Sequence, residues 1–146
     1  MKWKISGGIA LLCVLFFAFS AECAGPRNMF PDYQEAKKII KQQAEAKWGN
    51  DYAMVKYEID NQTSAYKWLV RVKNHVDILQ FAKNEWNVDY KMIKYEYEKQ
   101  VSAYNWVQSQ KKYPKILASA KAKWGLDYQM VKYEYEKQVE AYESMN

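Results

Sequence analysis

The chain has 146 residues, of which 49% are hydrophobic and 16% aromatic, with a net charge of +5. One histidine, two cysteines and five scattered glycines exclude the usual zinc site, the hydrolytic triad and the Gly-rich phosphate loop. Its 22 basic and 17 acidic residues are interleaved rather than blocked, which marks solvated helix faces and supports no nucleic-acid motif.

The first residues read as a secretory signal. Lys2 and Lys4 precede an apolar run from Ile9 to Phe19, and the small residues Ser20 and Ala21 follow. The run is shorter than the roughly 20 residues of a membrane span, although an uncleaved anchor helix is the alternative. Cleavage fits after Ser20, with Ala18 at the −3 position, or after Cys23, with Ala21 there. Lipid anchoring at Cys23 is a further alternative, but Glu22 stands where a lipoprotein cut requires a small residue. The expected organisation is a signal over 1–23, an extension over 24–31 and one helical domain over 32–146, in a secreted or periplasmic protein. Without Lys2, Lys4 and Glu22 the balance is 20 basic to 16 acidic residues. At most one cysteine remains, so no internal disulfide can staple the domain and an apolar core must hold it. A domain of this size buries roughly two-thirds of its unfolded surface.

Trp48, Trp86 and Trp124 lie 38 residues apart. The register continues through Asp51, Asp89 and Asp127, through Tyr52, Tyr90 and Tyr128, and through Met54, Met92 and Met130. It includes Lys56-Tyr57-Glu58, Lys94-Tyr95-Glu96 and Lys132-Tyr133-Glu134, then Gln62, Gln100 and Gln138, then Tyr66, Tyr104 and Tyr142. A fixed period of this length is the mark of a supersecondary unit that cannot bury its apolar face alone. The predicted units are 32–73, 74–111 and 112–146, each a helical hairpin, forming a short solenoid or compact bundle without strands.

In chain order, Asp32 and Glu35 form a capping box that opens the first helix. Gly49 after Trp48 provides the left-handed residue past a helix end, and Asp51 caps the next helix. Asn87 with Asp89, and Gly125 with Asp127, repeat that stop and start. A break near Asn74, capped together with Asp77, separates the first unit from the second. Pro114 suits the first position of the fifth helix. In the fourth helix Ile93, Tyr97, Gln100, Val101, Tyr104 and Val107 define one buried stripe, flanked by Met92, Tyr95 and Trp106. The tryptophans before each turn are expected to anchor their hairpins in the core.

The residues that could carry chemistry are few. His75 sits at an inter-helix junction, where a capping or surface role is the expectation. Glu96 and Glu98, like Glu134 and Glu136, are two apart and point to different helix faces, so they make no acid–base pair. The repeated methionines could line a soft-metal or haem stripe, but without His or Cys beside them they read as gap-filling core. Asn61-Gln62-Thr63 matches a glycosylation sequon by chance, inside a predicted helix. No catalytic residue, metal or cofactor is expected.

The candidate binding residues are Lys56, Tyr57, Lys94, Tyr95, Lys132 and Tyr133. Stacked in register, the tyrosines would form a row with lysines beside them, able to hold an extended partner by stacking and hydrogen bonding. The competing reading, favoured on sequence because repeat units need packing to be stable, makes these rings the cement between hairpins. The build resembles helical-hairpin repeat proteins such as the tetratricopeptide class. The W-[GN]-x-D-Y-x-M-[VI]-K-Y-E pattern is not that class's signature, and the resemblance carries over no residues. The expected function is a non-catalytic exported binding or scaffolding module for a protein or an extracytoplasmic polymer, not for nucleic acid. Membrane-surface association, and an enzyme with a Tyr/Lys/Glu site between hairpins, are the alternatives.

Overall fold

The computed structural model describes residues 29–145, so the signal read over 1–23 and most of the extension lie outside it. The described residues form six α-helices and no strand: α1 Tyr33–Trp48, α2 Tyr52–Leu69, α3 Val76–Trp86, α4 Tyr90–Ser109, α5 Pro114–Trp124 and α6 Tyr128–Ser144.

Local chemistry explains most of the boundaries. Gly49, Asn87 and Gly125 adopt φ of 56°, 52° and 59°, and their N–H groups close the preceding helices on Glu45, Lys83 and Lys121 carbonyls. Most side chains are strained there, while Gly lacks a Cβ and Asn tolerates the left-handed region better than other residues, which fits Gly or Asn at all three positions. Asp51, Asp89 and Asp127 then accept from the Met54, Met92 and Met130 N–H groups at 3.1, 3.2 and 3.1 Å. Each satisfies one of the free donors of a helix start. Asp32 accepts from both Gln34 and Glu35 at the head of α1, and Pro114 opens α5.

The start of α3 differs from expectation. The chain does break between Leu69 and Val76, but the capping residue is His75, in the left-handed conformation and without a side-chain cap bond, rather than Asn74. Tertiary contacts decide this. The Tyr97 hydroxyl donates to the Asn74 carbonyl at 2.9 Å, and the His75 ring rests 4.8 Å from that of Tyr104.

Helices joined by three-residue turns pack on each other: α1 on α2, α3 on α4, α5 on α6. The three long helices also pack in sequence, α2 on α4 and α4 on α6. They form one layer, with the short helices against it. The larger core cluster lies around Ile40, Leu69, Ile78, Leu79, Tyr90 and Ile93, closed by Phe30. A smaller one gathers Val107, Ala120, Val131 and Tyr135. Each fully buried Leu or Ile contributes about 1.5–3 kcal/mol relative to an exposed one.

The tryptophans are not the deep anchors the repeat suggested. Trp86 is 39% exposed, and Trp48 and Trp124 are half-buried. As last residues of the short helices they sit at the rim of the turn, where Lys47 and Lys123 cover their rings at 5.3 and 5.2 Å. The short helices are held by smaller side chains: Ala36 and Ile40 in α1, Ile78, Leu79 and Ala82 in α3, and Ala120 in α5.

Candidate functional site

The Lys-Tyr-Glu triplet splits into three directions on each long helix. Consecutive helical residues are about 100° apart, so three in a row cannot share a face. Glutamate turns inward, tyrosine outward, and lysine toward the neighbouring long helix or its own helix.

The glutamates build the junctions. Glu58 is buried and accepts from Lys47 of α1, Gln62 of its own helix and Lys91 of α4. Burial pushes its carboxyl up, but the Lys91 and Gln62 hydrogen bonds and the Lys91 and Lys47 charges outweigh that and hold it below the usual range. Glu96 accepts from Gln100 and from Gln129 of α6. Glu134 is held down to about 2, chiefly by its hydrogen bond from Lys123, then by that from Gln138, against an opposing effect of burial.

Four residues after each glutamate stands a glutamine; sequence reading placed Gln100 alone in a buried stripe and gave none of them a role. The Gln62 amide donates to Asp89 Oδ1 at 2.8 Å and accepts from the Lys91 N–H at 3.1 Å. Gln100 repeats this one helix on, donating to Asp127 at 3.0 Å and accepting from the Gln129 N–H at 3.2 Å. The capping aspartates thus serve two helices at once. The legible signal was a glutamine recurring in an apolar stripe, four residues after a glutamate.

The lysines are occupied. Lys94 lies 5.0 Å over the Trp68 ring and Lys132 lies 4.9 Å over Trp106, each reaching across to the preceding long helix. Both also pair with acids one turn on, Glu98 and Glu136, while Lys56 pairs with Asp60. Their charge is therefore locally balanced and forms no free cationic strip.

The tyrosines are where the structure overturns the favoured reading. Tyr57, Tyr95 and Tyr133 are 60%, 52% and 56% exposed, so they do not cement hairpins together. Packing is carried instead by Tyr90 against Tyr66, Tyr128 against Tyr104, Trp68 against Tyr97 and Trp106 against Tyr135, with ring centroids 5.0–5.7 Å apart. The buried Tyr90 hydroxyl has no hydrogen-bond partner among the described residues, and burial, with the Tyr66 and Glu35 charges, pushes it up to about 12. The three exposed rings stand on successive helices of one layer. Beside Tyr133 an open groove of about 410 Å³ runs between α4 and α6, lined by Lys99, Trp106, Gln129, Lys132 and Glu136. Lys99 also covers the Tyr95 ring at 5.4 Å. Sequence reading did not single out Lys99, and it placed Trp106 only on a stripe flanking the buried one.

The remaining candidates gather no chemistry. Met54, Met92 and Met130 are half-buried, and no group of three His, Cys, Asp or Glu residues among the described residues could hold a metal ion. No described helix is long and apolar enough to cross a membrane. Comparison with protein-family models, curated proteins and solved structures finds no match.

Proposed function

We propose that the protein is an exported, non-catalytic helical-repeat module that holds a protein or an extracytoplasmic polymer along the Tyr57–Tyr95–Tyr133 face. In this reading the three hairpins are copies of a 38-residue unit stacked as a short solenoid, and the long-helix layer presents one tyrosine per unit. The observation that carries it is the exposure of all three tyrosines while the aromatics at the junctions between long helices are packed. The same ring stands more than half exposed at one position of three neighbouring long helices, where it contributes little to packing. A phenol gives a partner a flat apolar surface and a hydroxyl, and three weak contacts on one rigid layer add through avidity. The paired lysines frame the rings with mixed charge, which suits an uncharged or mixed-charge partner better than a polyanion.

The test is capture from a native envelope or secreted fraction by the wild-type chain and by the triple variant Tyr57→Ala/Tyr95→Ala/Tyr133→Ala. The variant is expected to melt within a few degrees of wild type and to lose the captured partner. Retention of that partner by a folded triple variant overturns the reading.

A further inference from the structure

We propose that the two ends of the helix stack fit each other, so that the protein associates head to tail with a second copy of itself. This goes beyond the binding role above and rests on its stacked-hairpin part, not on the tyrosine row.

The junction between long helices is made twice within the chain from the same parts. A glutamine tethered to the glutamate one turn before it donates to the aspartate cap of the next long helix and accepts from an N–H in that helix's first turn. A tyrosine at the head of the incoming helix packs on a tyrosine of the outgoing one.

Each end of the stack holds half of such a junction. On α6, Gln138 donates to Glu134 at 2.9 Å, the same tether that Gln62 and Gln100 use, but it is exposed and meets no aspartate among the described residues. On α2, Asp51 caps Met54 but receives no glutamine among the described residues. The Ala53 N–H, which corresponds to the Lys91 and Gln129 donors, has no acceptor among the described residues. Tyr52 is 78% exposed, although its counterpart Tyr90 is fully buried and Tyr128 half-buried.

Bringing the α2 face of one copy onto the α6 face of another repeats the internal junction. Gln138 donates to Asp51 and accepts from the Ala53 N–H, and Tyr52 packs toward Tyr142. Three elements of the internal junctions are missing. Ala53 has no side chain to reach Glu134 as Lys91 and Gln129 reach Glu58 and Glu96. No tryptophan lies under Lys56 as one does under Lys94 and Lys132, and a ring pair is lost. Ser144 stands where Trp68 and Trp106 do, and Ile59 where Tyr97 and Tyr135 do, so the edge-to-face ring pair is absent from both ends together. The contact between copies is therefore weaker than the contact within one and depends on concentration. Because the two faces differ, each added copy leaves a new free end and the assembly is an open chain.

Sedimentation velocity of the full chain over a rising concentration series tests this, together with Tyr52→Arg, which blocks one face, and Gln138→Arg, which blocks the other. Thermal melts establish that both variants are folded; if either melts early, Tyr52→Ser or Gln138→Ala replaces it. The wild-type mass is expected to grow with concentration. Each variant alone should need about tenfold more protein or worse to associate, as loss of a central contact does. An equimolar mixture of the two should form a heterodimer and stop there, since each supplies the face the other lacks. A wild type that stays monomeric, variants that associate like wild type, or a mixture that fails to pair overturns the proposal. None of these variants touches Tyr57, Tyr95 or Tyr133, so partner capture by that row can survive or fail independently.

Discussion

At the junction of α2 with α4, Gln62 reaches Asp89 at 2.8 Å, and at that of α4 with α6, Gln100 reaches Asp127 at 3.0 Å. Trp68 and Tyr97 meet at 5.7 Å in the first, Trp106 and Tyr135 at 5.7 Å in the second. What lies beneath differs. The first junction covers the cluster that includes Phe30, Ile40, Leu69, Ile78 and Leu79, whereas the second covers little more than Val107, Ala120, Val131 and Tyr135. The first also encloses Glu58, with Lys47 and Lys91 on it; the second leaves Glu96 half-buried with Gln129. Register and strength are thus supplied separately. Directional hydrogen bonds repeat the alignment of one helix on the next, while the apolar area that stabilises each alignment shrinks toward the C-terminus.

The largest effects should come from attacking the apolar side of this difference. Leu79→Ala, at a fully buried site, should cost about 3 kcal/mol, and Val131→Ala about 2 kcal/mol, both read from denaturant midpoints. Native-state hydrogen exchange should accordingly find α6 opening at a lower free energy than α4. Equal protection of the two helices would erase the distinction.

Next come the polar couplers. Gln62→Ala and Gln100→Ala should each cost about 1–3 kcal/mol, because partners inside a junction lose their bonds. Gln138→Ala, at the exposed end, should cost under about 0.5 kcal/mol. A large loss on changing Gln138 would mean that the glutamine stabilises its own helix rather than the junction.

Acid should act on the carboxylates that tie helix to helix. The folded pKa of Glu134 lies near 2, below its ordinary 4.5, so its contribution is full above 4.5 and fades as pH falls toward 2. The melting temperature of Glu134→Gln should therefore decline less over that window than that of wild type. Glu58 is shifted in the same direction and adds to the same decline. The smallest effect is expected at Tyr95→Ala, which should change stability by under about 0.5 kcal/mol, as exposed sites do. A larger loss in a thermal melt would return Tyr95 to a packing role.

Much of the helix layout was legible because its signals are short-range. The Asp caps, the left-handed Gly49, Asn87 and Gly125, and Pro114 each act on backbone groups within four residues. The left-handed backbone of His75 escaped because its loop is fixed by Tyr97 and Tyr104 of the following helix. The candidate site was half legible. The Lys-Tyr-Glu triplet stood out by recurrence, but recurrence cannot tell a ring that packs from one that faces water. Trp86 and Tyr95 were both placed inside for that reason, and both are exposed.

The sequence by itself determined an all-helical chain with its starts, stops and recurring residues, because capping and periodicity are properties of one helix and its ends. Only the tertiary structure decided which of the recurring aromatics are buried, that Gln62 and Gln100 bridge neighbouring helices, and that the glutamate of each triplet turns inward. Those outcomes depend on where the next helix lies. One more helix laid on α2 buries Tyr90 and leaves Tyr95, five residues on, in water.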